Sequence, residues 1–155
     1  MLFKKGVVVL ALAFAITGCA TGHHAAVLDG DYPVKKAMAM ESGVTITKPA
    51  NMSKHWGPVE VCMSTSGYTV EPAKNGVNAG KGHHHLLIDA FIPKNLSNPI
   101  AKDANHVHMG DGSTCKKLDL SSGQHSITAV FAKGNHVPYN PPVTDTVVIF
   151  VGNTN

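Results

Sequence analysis

Short runs of alternating polar and apolar residues recur along most of the chain. In the run from 124 to 132, Ile127, Ala129 and Phe131 share one face. A period of two residues is that of a β-strand, and after the N-terminal segment no run of about ten residues has the period of a helix. Clusters of Gly, Pro, Asn and Asp separate the runs. The pattern predicts strands at residues 44–47, 59–64, 68–70, 83–91, 114–120, 124–132 and 143–151.

Such closely spaced short strands predict an all-β fold, an immunoglobulin-like antiparallel β-sandwich of about seven strands. A small barrel is the alternative arrangement. The sequence shows no internal repeat and no second hydrophobic core. Residues 43–155 are therefore expected to form one domain.

The N-terminal residues follow a different pattern. A basic start precedes the apolar run 6–16, which has the length of a signal peptide and is too short to span a bilayer. Residues 16–19, Ile-Thr-Gly-Cys, resemble the lipobox of bacterial lipoproteins. The resemblance implies a signal peptide over 1–18, lipidation of Cys19 and a tether over 19–42. An ordinary signal peptide with a chance cysteine is the alternative.

A lipid on Cys19 would anchor the protein to a membrane and place it in the periplasm. By analogy with bacterial sorting, Ala20 after the cysteine indicates the outer membrane of a Gram-negative bacterium. Charged residues make up only 15% of the chain, and arginine is absent. Because arginine supplies the bidentate contacts to phosphate, its absence argues against a nucleic-acid partner.

Two further cysteines, Cys62 and Cys115, lie on predicted strands. An exported protein folds in an oxidising compartment, where a disulfide is the expected state. Each cysteine shares a strand face with polar residues, which suits a bridge between strands at the surface. A metal thiolate is the alternative use of these residues.

The ten histidines include two His-x-His pairs, His83 with His85 and His106 with His108. On a strand, residues two apart point to the same side and lie about 6 to 7 Å apart. Two such pairs on neighbouring strands could offer four nitrogens to one ion, and imidazole suits copper or zinc. We therefore predict that these four side chains converge on one metal site. His136, in a predicted hairpin tip, is a further candidate ligand.

Other residues near these pairs have structural interpretations. His84 shares a face with Leu86, which favours packing in the core, and His125 is placed to fasten a turn at a strand entrance. Met109 could offer a thioether to Cu(I), but its parity on a strand is opposite to that of the histidines. Asp89 shares a face with the first pair and is either a group that orients a ligand or a surface acid.

Four stretches occur in a fixed order and make the sequence recognisable. Together they resemble the domain-of-unknown-function family 4399, over roughly Val59 to Val151. The resemblance implies a small exported bacterial β-domain without an assigned biochemical role. The family more often has a polar residue at the position of Cys115. This difference implies that a Cys62–Cys115 bridge is particular to this protein and is not a family feature. The stretches are 82–89, 105–112, 122–128 and 134–143.

Residues 106–112 are also similar to the copper-ligand strand of copper-zinc superoxide dismutases, another β-sandwich family. That family needs further histidines and an aspartate in a zinc loop shortly afterwards. Here the next histidine is His125, and no histidine-rich loop precedes it. The likeness therefore covers about one strand and its turn.

Three functions are compatible with these observations. The first is an envelope lipoprotein that binds copper or zinc through paired histidines, as a chaperone, buffer or sensor. The alternative is a structural or interaction module that binds another envelope protein. The third is a dismutase-like metalloenzyme. We assign no catalytic residues, because the sequence offers no nucleophile–base pair and Asp89 and Asp111 are isolated acids.

Overall fold

The computed structural model describes residues 43–153. The expected signal peptide, Cys19 and the tether lie outside this range. The described part consists of strands, connecting segments and one 3-10 turn at Ala73–Asn75. Within it, no helix is long and apolar enough to cross a membrane. The strands are β1 (Gly43–Lys48), β2 (Lys54–Trp56), β3 (Val59–Ser66), β4 (Thr69–Val70), β5 (Lys81–Ile88), β6 (His106–Met109), β7 (Cys115–Leu118), β8 (Gly123–Ala132) and β9 (Pro138–Gly152).

The strands form two sheets that pack face to face. The smaller sheet has the order β1-β3-β7, and the larger has the order β2-β9-β8-β5, with β6 and β4 both paired to β5. The long pairs are antiparallel, and only the short pairs β2–β9 and β4–β5 are parallel. The predicted immunoglobulin-like β-sandwich is confirmed. Each predicted run contains a strand, and β2 and β6 are additional.

The main hydrophobic core lies between the two sheets. Val59, Val61 and Met63 alternate along β3 and are buried, as the period of two predicts. Ile127 and Phe131 of β8 are fully buried in the same core. Alternating apolar positions on both sheets therefore account for this half of the packing.

The larger sheet is also covered on its outer face, by the segment that joins β5 to β6. Every residue from Gly82 to Ile88 is buried, so β5 has no solvent face. A second cluster on the outer side contains Leu87 of β5 and Ile100 of the connecting segment, together with β8 residues. The predicted strand 83–91 ends at Ile88, because Asp89 has a positive φ of 51° and turns the chain away. This cover buries the outer face of β5.

Cys62 and Cys115 are joined by a disulfide in the smaller sheet. The two residues lie directly opposite each other in the β3–β7 register. The predicted disulfide is confirmed, and the alternative of a metal thiolate is excluded because each sulfur is bonded to the other. The bridge belongs to the smaller sheet, whereas β5 and β6 belong to the larger one.

Removal of this disulfide is expected to lower the free energy of unfolding. The bridge closes a loop with a sequence separation of 53 residues. The loss of that constraint on the unfolded chain is worth about 4 kcal/mol. Urea denaturation of a Cys62→Ala, Cys115→Ala double variant measures the change. A reductant should destabilise the wild type and leave this variant unchanged; a wild type insensitive to reductant would contradict the prediction.

Candidate metal centre

Four histidines from three parts of the chain gather on the outer side of the larger sheet. His83 and His85 come from β5, His108 from β6, and His136 from the turn between β8 and β9. One ring nitrogen of each lies within 4.8 Å of those of the other three. The group could hold a metal ion and offers nitrogen donors alone. We call these four residues the histidine cluster.

The pairing of β5 with β6 brings three of the rings together. His85 lies directly opposite His108 in the antiparallel register. Opposite residues project to the same side of a sheet, and His83 shares that side because it lies two residues before His85. Asn105 fixes the register at the end of β5, since its backbone carbonyl accepts from Ile88 N at 2.8 Å and its side-chain amide donates to Ile88 O at 2.8 Å.

His136 reaches the cluster from a tight turn. Its φ of +67° is uncommon for a residue other than glycine. Two backbone hydrogen bonds hold it: His136 N donates to Lys133 O at 2.8 Å, and Ile100 N donates to His136 O at 2.9 Å. The ring then lies with Nδ1 at 3.2 Å from Nε2 of His83. The covering segment therefore also fixes the fourth histidine.

Gly110 provides the space that the ring of His108 occupies. A β-carbon at Gly110 would overlap Cε1 and Nε2 of that ring. This role of Gly110 was not among the sequence predictions. The signal was the spacing, because a glycine two residues after a strand histidine leaves room on the side to which the ring points.

The rings are closely packed and incompletely hydrogen-bonded. Nε2 of His83 and Nε2 of His85 are 3.0 Å apart, and the six pairs of ring centroids are separated by 4.7 to 5.7 Å. Buried Nδ1 of His83, Nδ1 of His85 and Nε2 of His108 have no hydrogen-bond partner. Two facing nitrogens are compatible only where one carries a proton. A cation that accepts their lone pairs removes this conflict.

Burial keeps these rings neutral. It lowers the pKa of His83 to about 4 and that of His85 to about 3, and the neighbouring histidines add to the shift. Burial also lowers the pKa of His108, with further contributions from His136 and Lys102. The neutral form is the one that binds a metal ion, so the donors are ready at neutral pH.

His106 does not join the cluster. It lies opposite Leu87, farther along the strand pair, and its Nδ1 is 2.7 Å from Oδ1 of Asp103. The predicted convergence of both His-x-His pairs is therefore not what the structure shows. Both members of the first pair converge, and the second pair contributes His108 alone. The likeness to the copper-ligand strand of the dismutases included His106, so it is weakened by the position of this residue outside the cluster.

The residues interpreted as structural have structural contacts. His125 fastens a turn, with Nδ1 at 2.7 Å from Oδ2 of Asp89 and Nε2 at 2.9 Å from the carbonyl of Ser121. Although burial opposes it, the hydrogen bond to Asp89 raises the pKa of His125. Asp89 therefore serves His125 and does not orient a cluster ligand. His84 and Met109 oppose each other across β5 and β6 and are buried.

A comparison with known families adds one result to this geometry. The sequence profile described as "Domain of unknown function (DUF4399)" matches residues 61–152. The chain belongs to this family. The resemblance inferred from the four stretches is confirmed, and the matched DUF4399 residues include the whole histidine cluster. No curated protein matches the sequence.

Two solved structures are similar to this DUF4399 chain. One, a structure of the fibronectin(III)-like modules of Clostridium thermocellum CbhA, is 13% identical with a TM-score of 0.44, and the match covers 72% of this chain and 99% of that one. The other, the endo-β-1,4-mannanase from Thermotoga petrophila, is 16% identical with a TM-score of 0.42, and the match covers 73% of this chain. The match spans 20% of the mannanase. At these TM-scores neither likeness carries an argument about function.

The metal-free protein is expected to lose stability as the pH falls from about 6.5 towards about 4. Unfolded histidines have a pKa of about 6.5, whereas burial lowers the pKa of His83 to about 4 and that of His85 to about 3. Between these values the unfolded chain binds protons that the folded chain excludes. The free energy of unfolding therefore keeps its full value above pH 6.5, as far as these rings are concerned. Below pH 6.5 it decreases by about 1.4 kcal/mol per pH unit for each such ring.

Urea denaturation of chelator-treated protein at a series of pH values measures this dependence. A His83→Gln, His85→Gln double variant should show a shallower slope, because two of the buried titrating rings are gone. A wild-type free energy of unfolding that stays constant from about pH 7 to about pH 4.5 would contradict the burial of neutral rings.

Proposed function

We propose that this protein binds a copper or zinc ion through His83, His85, His108 and His136. The observation that carries the proposal is the approach of four imidazoles, two of them fully buried, with one nitrogen of each within 4.8 Å of the others. Imidazole nitrogen favours copper and zinc, whereas magnesium and calcium prefer oxygen. Met109 gives no reason to prefer copper, because its side chain packs in the core.

The role that these features support is reversible holding of the ion, as a chaperone, buffer or sensor. The cluster lies beside a cavity that Lys102 also lines, which gives an ion a route from solvent. The His125–Asp89 pair, which resembles part of a catalytic relay, is used to fasten a turn. Nothing in the described residues places a nucleophile beside a base at the cluster.

The proposal includes an envelope location. The lipobox-like residues before Cys19 support a lipid anchor, and the residue after the cysteine supports the outer membrane. The disulfide between Cys62 and Cys115 is the form expected in an oxidising compartment such as the periplasm. An anchored metal-binding domain of this kind would meet ions as they enter the periplasm.

Metal titration of two neighbouring variants tests the binding site. His108→Ala removes a ligand and should weaken copper and zinc binding at least about tenfold. Even the loss of a residue that only hydrogen-bonds to a metal ligand lowers metal affinity by about tenfold or more. His106→Ala is the matched control on the same strand and should bind as the wild type does. Isothermal titration of the full-length chain, purified without a histidine tag, measures both affinities.

Equal affinities in the wild type and the His108→Ala variant would contradict the proposed site. That result would favour the alternative function, an interaction module whose histidines only pack against one another. Exposed apolar side chains, Phe91 above all with 95% of its surface exposed, are the feature that such a module could use.

Replacement of Cys19 tests the anchor. Cys19→Ser removes the sulfur that would carry the lipid, so the protein should move from the membrane fraction to the soluble fraction. Immunoblotting of fractionated cells measures the distribution, with a Cys62→Ser, Cys115→Ser variant as the control for loss of cysteine. A Cys19→Ser protein that still sediments with membranes would contradict the lipid anchor.

A further inference from the structure

The proposed site lacks a negative charge to balance its metal ion. All four ligands are neutral imidazoles, so a divalent ion would keep both of its positive charges. Among the described residues, no acid belongs to the donor group: Asp103 contacts His106, Asp89 contacts His125, and Asp111 accepts from the backbone N–H of Ser113. An unbalanced charge in a largely buried site is costly. The balancing negative charge therefore has to come from a group outside the histidine cluster.

A cavity of about 200 Å³ opens onto three of the four histidines. Its walls are His85, His108 and His136 on one side and residues 100–102 on the other. A water molecule occupies about 30 Å³ in the liquid, so the cavity has room for a ligand of several heavy atoms. The cavity places that ligand beside three of the four imidazoles.

Lys102 is the charged side chain in the wall of this cavity. No acidic side chain lines it. Lys102 lines the same cavity as His85, His108 and His136, so its positive charge lies beside the cluster. A bound divalent ion would add its own positive charge, so the cavity of the metal-loaded protein would attract small anions.

We infer that the metal ion keeps one coordination position open towards this cavity, where it takes a small monovalent anion of carboxylate size beside Lys102. The inference rests on the proposed metal site and deepens it. The contrasting arrangement is a closed tetrahedral site, in which four protein ligands fill all positions and no external ligand enters. A carrier with an open position can receive and release its ion by ligand exchange, which a closed structural site does not favour.

Azide binding to the copper(II)-loaded, full-length chain tests the inference. Copper content is measured first, and sodium azide is then titrated while the copper–azide absorption band and the electron paramagnetic resonance spectrum are recorded. The wild type should show a saturable new band and a changed spectrum. Lys102→Ala should weaken azide affinity by roughly threefold at low salt, and added salt should reduce the difference.

Lys94→Ala is the matched control, because Lys94 lies in the same connecting segment but does not line the cavity. It should bind azide as the wild type does, and Lys102→Arg should retain most of the affinity. Copper-loaded protein whose spectra do not respond to azide has a closed site, which overturns the inference and leaves the metal-binding function intact. Equal azide affinities in the wild type and Lys102→Ala also overturn it. Protein that takes up neither copper nor zinc contradicts the proposed function itself.

Discussion

The burial of β5 on both faces is the constraint on which the candidate site depends. Its inner face packs into the core between the sheets, and its outer face lies under the segment 89–105. A strand with one solvent face would leave His83 and His85 in water, where each ring would keep an ordinary pKa and its own hydration. The cover buries both rings, so they face one another and remain neutral.

The cover and the ligands depend on each other. Ile100 fills the second hydrophobic cluster through its side chain and holds the carbonyl of His136 through its backbone amide. Asn105, at the other end of the same segment, holds Ile88 and sets the pairing of β6. The segment therefore positions both ligands that come from outside β5, although it contributes no ligand itself.

The histidine cluster lowers the free energy of unfolding of the metal-free protein. Buried polar nitrogens without partners cost about 1–3 kcal/mol each, and the cluster carries three of them. The disulfide in the other sheet and the alternating core of β3 and β8 supply stability away from the site. A fold that keeps this arrangement despite its cost is typical of proteins in which the buried groups have a function.

Much of the molecule was predictable from local pattern. The period of two gave the strands, placed Ile127 and Phe131 in the core, and put His83 and His85 on one side of β5. The strands and their faces depend on parity within one strand, which neighbouring residues determine by themselves. The Cys62–Cys115 bridge was predicted from the expected oxidising compartment, and the polar faces of the two cysteines agreed with it.

The composition of the histidine cluster was decided by tertiary structure. His106 and His108 have the same parity, so local pattern could not show which of them faces His85. The register between β5 and β6 makes that choice, and the hydrogen bonds of Asn105 fix it. His136 joins because Ile100, far from it in sequence, holds its turn. Register and long-range backbone contacts connect residues that are distant in the chain, so only the folded protein determines which imidazoles meet.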